Sequence, residues 1–522
     1  MNEQTITQAT EVSFKDFLFK NKRNKTILIL AGLAIVVQFS VFKYFYPFAS
    51  FIHGDSFLYI ETAYLNLSIN TYMIGYSMFL RMFSVFSNSD TALVAFQYLL
   101  LQGSVLFLIF TIFYFYKIRN IVQLALLSLM VLNPLLLHLG NLVSSDGFFL
   151  ALSLIWYSLL LWIIHKPSIK VVWWHAVVLF IAFTVRYNAL IYPFIALIPF
   201  WLSKLPLRRK IIGVFSYLLL CGLFVGFTMF QYKKLTGYVQ YSPFSGWQMA
   251  NNAMYAYRYV DSADVKPVPS KYKVLDNMIR NYFDSTRDLN RYPYEGMMAS
   301  TVYMWTKGLP LFQYRDNLFK KDSTVREFKK WASMGPFYKD YGQYIIRQYP
   351  WHFVRYFIWP NANKYFAPPV EFLDHYNSGK DSVVLNAQVW FRYKSRKLST
   401  RMKESSVHIL DFYPILSGVI NLAMLLSSIS FILLKGWRQN SSFRYGVFLG
   451  CTVWLLNAAF TIFASSAALR FQSFPILLTF TNVFLLVDWI FKMAYTNREE
   501  ISPVDQDNAL NELPHKTIIV QS

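Results

Sequence analysis

Four positions in an otherwise apolar chain carry the side chains that acid–base and phosphate chemistry require. Asp55 lies in His53-Gly54-Asp55-Ser56-Phe57-Leu58-Tyr59-Ile60-Glu61-Thr62-Ala63, which is followed by Ile74-Gly75-Tyr76-Ser77-Met78-Phe79-Leu80-Arg81. Asp146 lies in Ser144-Ser145-Asp146-Gly147, and Arg186 and Arg470 each stand at the edge of a long apolar run. A carboxylate can take the proton of a reacting hydroxyl, and a guanidinium can hold a phosphate through two parallel hydrogen bonds. Each residue also has a structural alternative. Asp is a preferred helix cap, and an Arg at a span end can snorkel or complement a helix dipole. If the first stretch is helical, Asp55, Tyr59 and Ala63 share one face and Glu61 lies on another, giving an interfacial helix that opens on a carboxylate.

The elements that would position these groups are membrane spans. Of 522 residues, 55% are hydrophobic and 15% charged, too apolar for one soluble core. A helix crosses a hydrocarbon layer of about 30 Å with roughly 20 apolar residues. Runs of that kind predict spans at 26–46, 92–116, 121–141, 147–164, 171–185, 189–203, 211–231, 409–434, 443–463 and 471–491. The expected fold is therefore an all-α polytopic membrane protein of about ten transmembrane helices, with an extracytoplasmic, mainly helical insert between spans seven and eight. The division along the chain is a cytoplasmic segment 1–25, a membrane module 26–231 whose first external loop is 47–91, an external domain 232–408, C-terminal spans within 409–491, and a cytoplasmic tail 492–522 expected to be disordered.

Charge fixes the expected orientation. With both termini in the cytoplasm, Lys117 and Arg119, Lys166 and Lys170, the Lys204 to Lys210 cluster, and Lys435, Arg438 and Arg444 all fall on that side, as the positive-inside rule asks. Asp55, Asp146, Arg186 and Arg470 then share the opposite face. Segment 232–408 has about a two-fold excess of Lys and Arg, which the rule tolerates in a long loop. Its Tyr349–Pro360 stretch reads as a short interfacial helix, since aromatics with Arg suit the headgroup layer. Lys15 to Lys25 before the first run mark a signal anchor rather than a cleaved peptide, placing the chain in a cell membrane, the bacterial inner membrane by expectation. The formal net charge of +22 belongs to topology and lipid contact. No nucleic acid partner is expected. Cys221 and Cys451, the only cysteines, both lie in apolar runs, so no disulfide framework, c-type haem or zinc site is expected, and no glycine-rich phosphate loop points to an ATP-driven pump.

Together these pieces resemble the GT-C superfamily of integral-membrane glycosyltransferases, in particular its bacterial branch of protein O-mannosyltransferase-like and lipid A aminoarabinose transferase-like enzymes. The resemblance rests on four motifs in order. They are the Asp55 loop with Tyr59, Ala63 and Gly75-Tyr76-Ser77-Met78-Phe79-Leu80, the Ser145-Asp146 turn, the Arg186 turn, and Arg470-Phe471-Gln472-Ser473-Phe474-Pro475. It implies transfer of a sugar from a polyprenyl-phosphate donor to a protein hydroxyl, lipid or envelope glycan, with inversion. Asp55 would be the catalytic base and Arg186 and Arg470 would bind the donor phosphate. Asp146, Ser145, Tyr59, Glu61 and Tyr76 would bind or orient substrate. Ser56 stands where the family often carries a second carboxylate, so no metal and no other cofactor is expected. The reading has competitors: a transporter or flippase of lipid-linked or anionic envelope precursors, a polysaccharide polymerase or ligase, or a scaffold. Transport would place ionisable groups near the bilayer midplane, whereas these cluster at one surface.

Overall fold

In the computed structural model, which describes residues 12–293, 300–322 and 324–500, the apolar runs become helices. Eight of them are long and apolar enough to cross a membrane: Lys22–Phe45, Asp90–Phe115, Asn120–Gly140, Ser145–His165, Leu207–Thr236, His408–Leu433, Ser441–Ala464 and Leu469–Tyr495. Two shorter apolar helices, Ile169–Val185 and Tyr187–Leu202, occupy the positions expected for spans five and six. The chain is thus a polytopic helical membrane protein. Residues 1–11 and 501–522, including most of the expected disordered tail, lie outside the described residues.

Sequence chemistry sets the breaks. Pro134 divides the third long helix into Asn120–Val131 and Pro134–Gly140, and Asn133 caps the second piece by accepting from Leu135 N at 3.0 Å, because proline removes a donor and is tolerated in a first turn. Helix Ser145–His165 stands at the centre of the bundle with nearly every side chain buried. It has an apolar surface all round, the pattern of a helix packed on every side. Gly75 lets helix Gly75–Ser84 pass against the end of Ile169–Val185, where a Cβ would come 2.6 Å from the Thr184 carbonyl group.

The last long helix fixes a length scale. Near its start is Arg470, and near its end Asp488 is buried and paired with Arg119 at 2.6 Å and Lys492 at 2.7 Å. At about 1.5 Å rise per residue the two polar positions lie about 27 Å apart, close to the thickness of a hydrocarbon layer.

The insert is built in two parts, where the sequence suggests one external domain. Residues from Tyr232 to Phe357 form a separate aromatic core around Trp247, Tyr338 and Tyr341. Residues from Leu373 to Val407 instead bury Leu373, Val383, Ala387, Phe391 and Leu398 in the core of the membrane module. Their backbone is stitched to the first loop: Asn377 N donates to Ser50 Oγ at 2.9 Å and Asn386 Nδ2 to the Phe57 carbonyl at 3.1 Å. The helix Asp55–Tyr64 is packed against protein along Ser56, Tyr59, Ile60 and Ala63 and keeps Glu61 and Tyr64 exposed, and part of that packing comes from residues more than 300 positions away. The Tyr349–Pro360 stretch is helical, through Pro350–Phe353 and a π-turn at Val354–Ile358 that leads into Trp359–Phe366. Trp351 and Trp359 are 80% and 66% exposed while Phe353 and Phe357 sit in the insert core, the division of faces that a helix at a headgroup layer requires.

Candidate functional site

The four charged residues converge. Helix Asp55–Tyr64 is capped by Gly54 at φ 103°, and the Asp55 side chain makes no capping bond. It turns away from its own helix, accepting from Arg470 Nη2 at 2.9 Å and from the Tyr72 hydroxyl at 2.7 Å. Asp146 occupies the first turn of Ser145–His165, again without a side-chain cap. It accepts from Arg470 Nη1 at 3.2 Å, from the Ser144 hydroxyl at 2.5 Å and from Arg186 Nη1. The capping reading of both aspartates is overturned, because each carboxylate is taken up by a guanidinium brought from another helix. Arg186, extended at φ −147° where Ile169–Val185 ends, points inward to Asp146 rather than snorkelling.

Two carboxylates and two guanidinium groups form a neutral chain, Asp55–Arg470–Asp146–Arg186. Asp146 is fully buried and the Arg470 side chain is 5% exposed, whereas those of Asp55 and Arg186 keep 21% and 16%. Burying ions at this depth is tolerable only with close partners. The exposed ends of the chain face the solvent-accessible space and the buried links hold them apart. Aromatic rings complete the setting: the Arg470 guanidinium lies 4.5 Å from the centroid of Phe372 and 4.4 Å from Phe471, and that of Arg186 lies 4.8 Å from Phe471. Phe372 holds a positive φ of 69°, rare for a bulky side chain. The Nε of Arg470 is buried with no acceptor among the described residues.

The loop that delivers Arg470 is clamped. Buried Asn361, from the helix that follows the π-turn, donates to the Ile462 carbonyl at 2.8 Å and to the Ser465 carbonyl at 2.5 Å, and its Oδ1 accepts from Ala467 N at 3.1 Å. One amide therefore ties the end of Ser441–Ala464 to the turn before Leu469. A second tie is Leu469 N to the Pro369 carbonyl at 2.9 Å.

Asp55, Tyr59, Arg186 and Arg470 line a cavity of about 1390 Å³ enclosed between the bundle and the insert. Its lining is of two kinds. Val185, Leu190, Met229, Phe460 and Phe463 from membrane helices give apolar lining, and the insert gives polar lining through Gln240, Ser242, Gln248, Lys339 and Asp340 together with the rings of Phe244 and Trp305. Glu371 joins the wall beside Phe372, its carboxyl raised above the ordinary range by burial.

Other expected residues fall differently. Ser145 lies beneath the cluster, sharing a hydrogen bond of 2.9 Å with the Tyr59 hydroxyl and accepting from Arg186 at 3.3 Å. Burial holds the Tyr59 hydroxyl well above its usual pKa, so it stays protonated as a donor. Glu61 is exposed and outside the cavity, as its position on the other helix face implies. Tyr76 is buried and donates to Gln97 at 2.7 Å, which makes it a packing residue behind Tyr59. Tyr72, Glu371, Phe372 and Asn361 carry no signal in the sequence beyond their residue type. Among the described residues no group of three or more His, Cys, Asp or Glu is placed to hold a metal ion. No family model, curated protein or solved structure matches this chain.

Proposed function

We propose that the protein is a membrane glycosyltransferase that moves a sugar from a polyprenyl-phosphate donor to an acceptor hydroxyl on the extracytoplasmic face. The observation that carries this reading is the Asp55–Arg470–Asp146–Arg186 chain set in the wall of a cavity lined by both apolar and polar side chains. An amphiphile fits such a space. An isoprenoid tail leaves lipid at a cost of about 0.8 kcal/mol per methylene, so its phosphate must be met at the membrane surface.

The chemistry follows from what each group can exchange. In the free protein Arg470 is held by Asp55 and Asp146. A donor phosphate offers guanidinium a better bidentate acceptor, and in taking Arg470 it releases one oxygen of Asp55. The acceptor hydroxyl then attacks the anomeric carbon from the face opposite the phosphate. Its proton passes to Asp55, the bond from carbon to phosphate oxygen breaks, and the electron pair stays on the phosphate, where Arg470 and Arg186 meet the growing charge. Asp146 is the buried counter-ion that keeps both arginines aimed.

Ten spans, with both termini in the cytoplasm and the insert outside, place every group of this chain at the external headgroup plane. The test is reconstitution of the full chain in liposomes with labelled polyprenyl-phosphate sugars and an envelope extract. Transfer of label to an acceptor with release of polyprenyl phosphate supports the reading. Movement of intact donor between leaflets without cleavage would instead identify a flippase.

A further inference from the structure

Next to Asp55 the cavity has a wall that the transfer of phosphate does not use. Tyr72, Tyr187, Phe244 and Trp305 stand together there, each half-buried. Ring centroids lie 5.9 Å apart for Tyr187 and Phe244, 5.8 Å for Phe244 and Trp305, and 6.2 Å for Tyr72 and Trp305. Tyr72 is also the residue whose hydroxyl bonds Asp55 at 2.7 Å, so this aromatic wall begins at the proposed base.

A polar edge borders it. Gln248 is 5% exposed and lines the cavity; its Nε2 donates to Asn252 Oδ1 at 2.7 Å, which leaves the buried Oε1 with no donor. Thr461 and Gln240 line the same space, and their Oγ1 and Oε1, like Gln248 Oε1, lie behind its surface with no protein donor among the described residues. A buried acceptor left unmade costs about 1–3 kcal/mol, so three of them behind one cavity wall give these side chains a reason to turn toward a ligand that carries hydroxyls. The helix that carries Gln248 is held tightly in place. At Gly342 its neighbour Gly335–Gln348 approaches so closely that a Cβ would come 2.6 Å from the Met249 carbonyl.

Resting on the glycosyltransferase reading above, we infer that this wall is the acceptor subsite and that the acceptor is a saccharide rather than a polypeptide. A pyranose ring presents an apolar C–H face and a rim of hydroxyls, the complement of four aromatic rings bordered by unpaired amide and hydroxyl oxygens. Among the described residues the insert forms no strand, so it offers no open edge for β-augmentation, one of the recurring ways of holding an extended peptide. The sugar's ring face rests on Trp305, Phe244 and Tyr72, a hydroxyl meets the Gln248 side chain, and the reacting hydroxyl points to Asp55.

The test uses the full chain in liposomes with labelled polyprenyl-phosphate sugars and two acceptor pools from cells that lack the protein, envelope glycans cleared of protein and envelope proteins stripped of glycan. Label in the glycan pool, in a sugar-to-sugar bond by methylation analysis, is expected. Label released from Ser or Thr by β-elimination would overturn the inference while leaving the transferase reading intact. Donor that is never cleaved would remove both. With the active pool, Trp305→Ala and Gln248→Leu are each expected to raise the acceptor KM about tenfold, the effect of one lost contact of moderate strength, with the donor KM unchanged. Equal rises in both KM values, or a rise in the donor KM alone, would take the wall away from the acceptor.

Discussion

At the scale of the residue, the site depends on what each guanidinium can do that an ammonium cannot. Arg470 reaches two carboxylates through separate nitrogens, Nη1 to Asp146 and Nη2 to Asp55, from between two aromatic rings. A lysine keeps the charge and loses the planar fork. Each charge-assisted bond contributes about 1.5–3 kcal/mol, and losing one in the transition state slows turnover about ten- to more than a hundred-fold. Arg470→Lys and Arg186→Lys are expected to insert normally and lose activity on that scale in single-turnover assays, with Arg470→Lys the more impaired because it touches both aspartates. Near-wild-type rates in both would return the arginines to a structural role. All four charged residues were legible in the sequence, because a charge at the edge of an apolar run is conspicuous. Their pairing was not. A helix cap and a long-range ion pair have the same local sequence, and only the fold shows that Asp55 meets a residue 415 positions away.

At the scale of the element, the apolar runs announced the helices, since a 20-residue apolar stretch has few other ways to satisfy its backbone. What holds Arg470 in place was hidden, because Asn361 is a neutral residue 106 positions from Ala467. Asn361→Ala leaves the Ile462 and Ser465 carbonyls and the Ala467 amide without their partner. A destabilisation of about 1–3 kcal/mol is expected, read as a lower midpoint of thermal unfolding in detergent, together with a fall in kcat. An unchanged midpoint would show that the clamp carries no load. A second buried group belongs to the insert. Asp276 accepts from Tyr341 at 2.9 Å and Tyr257 at 3.3 Å, and burial raises its carboxyl above the ordinary value despite these donors and nearby Arg280. The folded state therefore binds its proton more tightly than the unfolded chain. This stability is full below the ordinary carboxylate pKa and is lost as pH rises through the raised one. Asp276→Asn is expected to flatten the decline in unfolding temperature over that window, and a slope equal to wild type would assign the pH dependence elsewhere.

At the scale of the whole molecule, sidedness decides whether the cavity can meet an exported acceptor. Reporter fusions at Lys166 and Lys204 are expected to read cytoplasm, and at Ser262 and Asp322 exterior. A cytoplasmic insert would separate the cavity from any envelope glycan. The two-part insert is marked in composition only by a thinning of aromatic residues, which are about twice as frequent in 232–357 as in 373–407. That shift does not tell which surface each segment packs on, which the fold alone decides. The most direct measurement is single-turnover transfer from a labelled polyprenyl-phosphate sugar by purified Asp55→Asn beside wild type, at matched thermal stability. Asn keeps the shape and a hydrogen bond to Tyr72 and removes the basicity, so transfer is expected to fall by about 10²–10⁴-fold while donor binding persists; turnover at the wild-type rate would show that Asp55 is not the base.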